Sequence, residues 1–162
     1  MSETNSLKIM VTGAGKEIPL PLLNEDIQYE NRRNLKMKKV VKFGGSSLAS
    51  AEQFRKVGEI IHAEKERRYV VPSAPGKRYS GDTKVTDMLY DCYNSASANG
   101  DISGKIKAIQ ARYQEIIDGL GLELSLDEQF AEIKEKFEEG VGSDYAASRG
   151  EFLNGIVMAA YL

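Results

Sequence analysis

The chain has 162 residues, 41% of them hydrophobic, with one cysteine and a formal net charge of -2. That length buries a respectable core in one domain, and the near-balanced charge gives no reason to expect nucleic acid or an anionic membrane as partner. Cys92 alone forms no intrachain disulfide, no secretory leader pattern opens the chain, and no apolar run approaches the roughly 20 residues of a membrane span, so a soluble cytoplasmic protein is expected.

Residues 1–36 carry Pro19 and Pro21 followed by a polar, charged run, and read as an N-terminal extension made of a short strand and an irregular arm. The sequence starts afresh at Met37, where basic residues lead into an apolar strand, so the main domain is expected over 37–162. Val40 to Phe43 suit a buried strand. Ser50 and Gln53 form a capping box for a helix with Phe54, Val57 and Ile61 on one face, and His62 falls on that helix as a structural residue. "RRYVVPSAPG" gives a second strand that must end at Pro72, since a central strand cannot spare the missing donor. A loop runs from about Pro75 to Val85.

Helices follow without further strands. Met88, Leu89, Cys92 and Tyr93 mark one that ends near Gly100; Ile106, Ile109, Tyr113, Ile116 and Ile117 mark the next, closed by "DGLG". Ser125 and Glu128 predict a second capping box, ahead of a stripe of Phe130, Ile133 and Phe137. Ser143 is read as the cap of a last helix, apolar nearly all round in "FLNGIVMAAYL" and so expected to be buried. Strand and helix in alternation predict an α/β fold with a mainly parallel sheet, because parallel neighbours need a crossover.

The stretch "VVKFGGSSL" places a lysine before two glycines and two hydroxyls at a strand end. Bare backbone at Gly44 and Gly45 lets amides approach a ligand, the helix starting near Ser50 would aim its positive end the same way, and Lys42 and Ser46 add a charge and a donor. Phosphate is the ligand such a cluster suits, although the lysine-first order is not a P-loop. These residues by themselves equally fit a glycine turn with a solvated lysine. "VTGAGKE" at 11–17 lacks the last glycine of a nucleotide fingerprint, with Ile18 in its place, and is read as a plain turn. Ser148 and Glu151 share one helical face beside Gly150, a spacing that also fits a solvated helix start. The loop "PGKRYSGDTKV" carries Lys77, Arg78 and Lys84 and has the composition of a lid over phosphates.

Taken in order, "KFGGSS" at 42–47, "SAPGKR" at 73–78, "TKVTDML" at 83–89 and "SRGEFL" at 148–153 resemble aspartate kinases of the amino acid kinase family, over Met37 to Leu162. The resemblance implies a three-layer αβα sandwich and transfer of the γ-phosphoryl of ATP, with Mg2+, to the side-chain carboxylate of L-aspartate, a first step toward lysine, threonine and methionine. By position it implies Lys42 as the catalytic, charge-neutralising residue and Gly44, Gly45 and Ser46 as phosphate binders. It likewise implies Ser73, Thr86 and Glu151 as aspartate binders, the last meeting the ammonium group, with Arg149 supporting that pocket. No residue is assigned as a metal ligand. An aspartate carboxylate, with a pKa of about 3.9, is already ionised at neutral pH and needs no general base.

Relatives of this kind continue through an arginine-aspartate segment, a nucleotide-base pocket and regulatory domains that this sequence does not show. The chain is therefore expected to be the N-terminal part of a kinase domain and inactive by itself. The alternative is a non-catalytic phosphate-binding or assembly module. Homo-oligomerisation is left open.

Overall fold

The computed structural model describes residues 38–162, together with the backbone of a short strand at Lys8–Ile9. The strand expected near the start of the extension is that one; the arm behind it and the boundary at Met37 lie outside the described residues. Three strands form a parallel sheet: β1 (Lys8–Ile9), β2 (Lys39–Phe43) and β3 (Arg67–Pro72), in the order β1-β3-β2. The β-branched and aromatic residues of "KVVKF" and "RRYVVP" suit a pleated surface. Helix α1 (Ala51–His62) is the crossover between β2 and β3 that parallel pairing demands. Pro72 ends the central strand opposite Phe43, where the ladder needs no further donor from it.

The two faces of the sheet differ. Val41 and Phe43 of β2 and Val70 of β3 pack into the core, while Val40, which points the other way, is 64% exposed. All the helices join one core on the first face: α1, α2 (Val85–Ser97), α3 (Ser103–Leu120), α4 (Asp127–Glu138) and α5 (Ser143–Tyr161). The described residues thus form a sheet with one helical layer, an incomplete version of the three-layer sandwich.

Each helix owes its place to the stripe legible in its sequence. Phe54, Val57 and Ile61 of α1, Ile109, Tyr113 and Ile116 of α3, and Phe130, Ile133 and Phe137 of α4 are all buried. Each contributes on the order of 1.5–3 kcal/mol of transfer free energy, against which the entropy of ordering must be set. Gly121 (φ 70°) and Gly140 (φ 80°) close α3 and α4 in the left-handed conformation that glycine adopts without strain. The Ser50 hydroxyl accepts the Gln53 amide proton at 3.4 Å, as the first capping box requires.

Two expected caps are corrected. Helix α4 begins at Asp127 with Leu126 as its N-cap, and the Ser125 hydroxyl accepts the Asp127 amide two residues on, so no capping box with Glu128 forms. Helix α5 has Gly142 at its N-cap, and Ser143 is its first helical residue. His62 is exposed, its ring Nδ1 2.9 Å from the Gly58 carbonyl in the last turn of α1.

Candidate phosphate and substrate cleft

The strand tips of β2 and β3 release two loops that meet. The Gly76 amide donates to the Gly45 carbonyl at 2.8 Å, and Ser73 donates to Phe43 at 3.0 Å, extending the ladder beyond the strands. A Cβ on Gly45 would lie 2.8 Å from the Ala74 carbonyl oxygen, and one on Gly76 would lie 2.6 Å from the Gly45 carbonyl carbon, so neither position has room for a side chain. Gly44 is different: it is exposed, and a Cβ there would meet nothing within 4 Å.

Beyond this junction opens a cleft of about 580 Å³ lined by Gly45, Ser46, Ser73, Gly76, Lys77, Lys84, Thr86 and Asp87, among others. A 3-10 turn (Gly45–Leu48) separates β2 from α1, and Ser50 caps α1 away from the cleft lining. The helix whose start reaches the cleft is α2. No side chain caps its N-terminus, Val85 donates to the Pro75 carbonyl at 3.1 Å, and Thr86 and Asp87 of its first turn form part of the wall. The expectation of a helix macrodipole at this site is met by α2 instead of α1.

Lys42 is exposed on β2, and neither it nor Gly44 is among the cleft-lining residues. Glu151 is half-buried on α5, next to the Gly150 contact described below, and is not among the cleft-lining residues. Arg149 is turned away from the lining. It is 6% exposed, its guanidinium reaches the Ser148 hydroxyl at 2.9 Å, and it stacks over the rings of Tyr145 and Phe152 at 4.2 and 4.8 Å.

The loop read as a lid is fastened. Arg78 grips Asp82 through two side-chain hydrogen bonds of 2.8 and 3.0 Å and reaches Glu115 of α3 at 2.6 Å. Those bonds from Arg78 hold the Asp82 carboxyl well below the usual carboxylate range. Arg112 of α3 donates to the Gly76 carbonyl at 3.0 Å and sits 3.3 Å from Asp82. Helix α5 supports the floor from below: Asn154 donates to the Ser73 carbonyl at 2.6 Å, and Tyr113 donates to the Gly150 carbonyl at 2.7 Å. Gly150 lies so near Ala74 that a Cβ on it would fall 2.7 Å from the alanine methyl, which is the close approach its place beside Glu151 suggests.

Arg112, Tyr113, Asn154 and Asp87 are not among the site residues the sequence suggests. The first three occupy positions on helical stripes where core is the ordinary reading; only the polarity of Arg112 and Asn154 within otherwise apolar faces sets them apart. Among the described residues no group of three or more His, Cys, Asp or Glu side chains is placed to hold a metal ion.

The profile of the amino acid kinase family matches residues 37–162. The chain belongs to the amino acid kinase family. It is 41% identical over 129 residues to aspartokinase 3 of Bacillus subtilis, covering 76% of this chain and 28% of that protein. It is 31% identical over 129 residues to the aspartokinase of Chlamydia trachomatis, covering 75% of this chain and 27% of that one. The fold matches the solved aspartate kinase of Clostridium acetobutylicum, an allosteric enzyme, with a TM-score of 0.73 and 46% identity over 76% of this chain and 28% of that chain. The chain thus spans a little over a quarter of the length of these relatives.

Proposed function

We propose that the chain is the N-terminal part of an aspartate kinase catalytic domain, supplying the phosphate cradle and one side of the aspartate pocket. The observation that carries this is the convergence of Gly45, Ser46, Ser73 and Thr86 on one cleft with two lysines, Lys77 and Lys84, in its wall. In the reaction a side-chain carboxylate oxygen of L-aspartate bonds to the γ-phosphorus of ATP, the bond from that phosphorus to the β-γ bridging oxygen breaks, and ADP leaves with the electron pair. No proton need be removed, so the work is positioning two anions and screening their repulsion.

Lys42 neutralises charge on the transferring group, and Gly44, Gly45 and Ser46 donate to phosphate oxygens. Ser73 and Thr86 hold the aspartate, Glu151 takes its ammonium group, and Arg149 props the Ser148–Glu151 turn from its buried site between two rings. Mg2+ would travel on the nucleotide's phosphates, since the cleft wall offers Asp87 as its carboxylate and no dedicated cage. A cytoplasmic setting belongs to the same reading.

Calorimetric titration of the 162-residue chain with the ATP analogue AMP-PNP and Mg2+ tests it. Binding that Lys42→Ala weakens about tenfold or more is expected, the loss of one charge-assisted contact. No aspartate-dependent ADP release is expected from the chain alone. Absence of analogue binding would overturn the cradle, and aspartate-dependent ADP release would overturn the reading of the chain as a part.

A further inference from the structure

Arg112 is an expensive residue to bury. It is 5% exposed, Nε and Nη1 have no hydrogen-bond partner among the described residues although Nη1 lies 3.8 Å from the Glu115 carboxylate, and its neighbours include the second cation Arg78. Desolvating a guanidinium with so few partners costs more than an apolar side chain of the same shape would. Its one hydrogen bond, from Nη2, goes to the Gly76 carbonyl at 3.0 Å, and the same nitrogen is 3.3 Å from Asp82. That carbonyl belongs to the residue whose amide bonds to Gly45. Arg112 therefore ties α3 to the contact between the two loops that wall the cleft.

The turn from Gly76 to Asp82 is braced at both ends. Arg78 closes it on Asp82 through its backbone amide and its guanidinium, Asp82 leans on Arg112, and Glu115 of α3 takes the outer nitrogen of Arg78. Lys77, which lines the cleft, lies between Gly76 and Arg78 and is placed by them. We propose that Arg112 is a positioning residue that holds the Gly76 turn against the Gly45–Ser46 backbone, fixing the cleft wall before any ligand arrives. Its consequence for nucleotide rests on the function proposed above; the positioning itself does not.

The test separates position from stability. Arg112→Met keeps the packing volume and removes the bond to Gly76, while Asp82 retains Arg78. Amide hydrogen exchange by NMR should speed up about tenfold or more at Gly76, with Ile117 of α3 unchanged, and the thermal midpoint should hold or rise because a poorly partnered cation has gone. AMP-PNP affinity should fall several-fold. Arg112→Lys, a point charge unable to serve Gly76 and Asp82 together, should lie between wild type and Met. Arg55→Met, which removes a bond from α1 to the Gly119 carbonyl remote from the cleft, should leave Gly76 exchange as in wild type.

Unchanged Gly76 exchange in a folded Arg112→Met chain overturns the proposal. So does acceleration spread evenly over α3 with a lowered midpoint, which would make Arg112 a general structural residue. Should Arg112→Met not fold, Arg112→Lys decides on the same local pattern. A wild-type chain that fails to bind AMP-PNP counts against the proposed function, and the exchange pattern still decides the positioning role.

Discussion

A methyl group placed on Gly44 would meet nothing within 4 Å, whereas one on Gly45 would strike the Ala74 carbonyl at 2.8 Å and the Gly76 nitrogen at 3.1 Å. The two residues mark the border between two regions of the molecule. On one side is the open strand tip, where Lys42, Gly44 and Ser46 are exposed residues. On the other is a closed junction in which Gly45, Gly76 and Gly150 let three segments touch backbone to backbone or backbone to methyl. Glycine in the first region leaves open space, and glycine in the second is required by close packing.

The closed region should break hardest. Gly76→Ala drives a Cβ to within 2.6–2.8 Å of backbone atoms of Gly45 and Ser46, which no rotamer change relieves. A loss of about 3 kcal/mol is expected, the upper end for overpacking, read as a fall of several degrees in the thermal midpoint. A midpoint unchanged by that substitution would mean the loops part easily and the contrast is wrong.

The core holds Cys92 of α2, whose thiol burial pushes up to about 11 from an ordinary 9.0. The folded state then keeps a proton that the unfolded state releases. Stability is full below pH 9 and is lost as pH rises through 11, by about 2–3 kcal/mol at about 1.4 kcal/mol per unit. Buried Tyr113 adds its own loss at higher pH, so the check is a comparison: denaturant melts of Cys92→Ala between pH 9 and 10.5, in about half-unit steps, should show a shallower decline than wild type.

How far each region could be read in the sequence follows from the range of the forces involved. The Ser50 cap, the glycine ends of α3 and α4 and the apolar stripes are local, set within a turn or two of chain, and the sequence displays them. The cap at Ser125 failed because a hydroxyl has a competing partner two residues away, in the Asp127 amide. What joins residue 78 to 115, 76 to 112 and 73 to 154 is tertiary, and nothing in the spacing of these residues announces it. For the same reason the sequence favoured α1 as the helix facing the cleft, being next along the chain, when the fold brings α2 there. Of the residues the motif resemblance names, Gly45, Ser46, Ser73 and Thr86 line the cleft, whereas Lys42, Gly44 and Glu151 are not among its lining residues and Arg149 lies buried between rings.

The open region should show the reverse pattern, function without stability. Lys42→Ala removes an exposed side chain, so the midpoint should stay within the equivalent of about 0.5 kcal/mol while AMP-PNP affinity falls about tenfold. Gly44→Ala is the finest test. Its φ of -77° and ψ of 166° suit any residue, so the substitution should be neutral or slightly stabilising, by up to about 1 kcal/mol, through the unfolded chain. A methyl at the strand tip should nonetheless keep phosphate from the backbone and reduce analogue affinity a few-fold. If Gly44→Ala instead binds AMP-PNP as tightly as wild type, the amides of this tip do not touch phosphate, and the cradle shrinks to Lys42, Ser46 and the α2 end of the cleft.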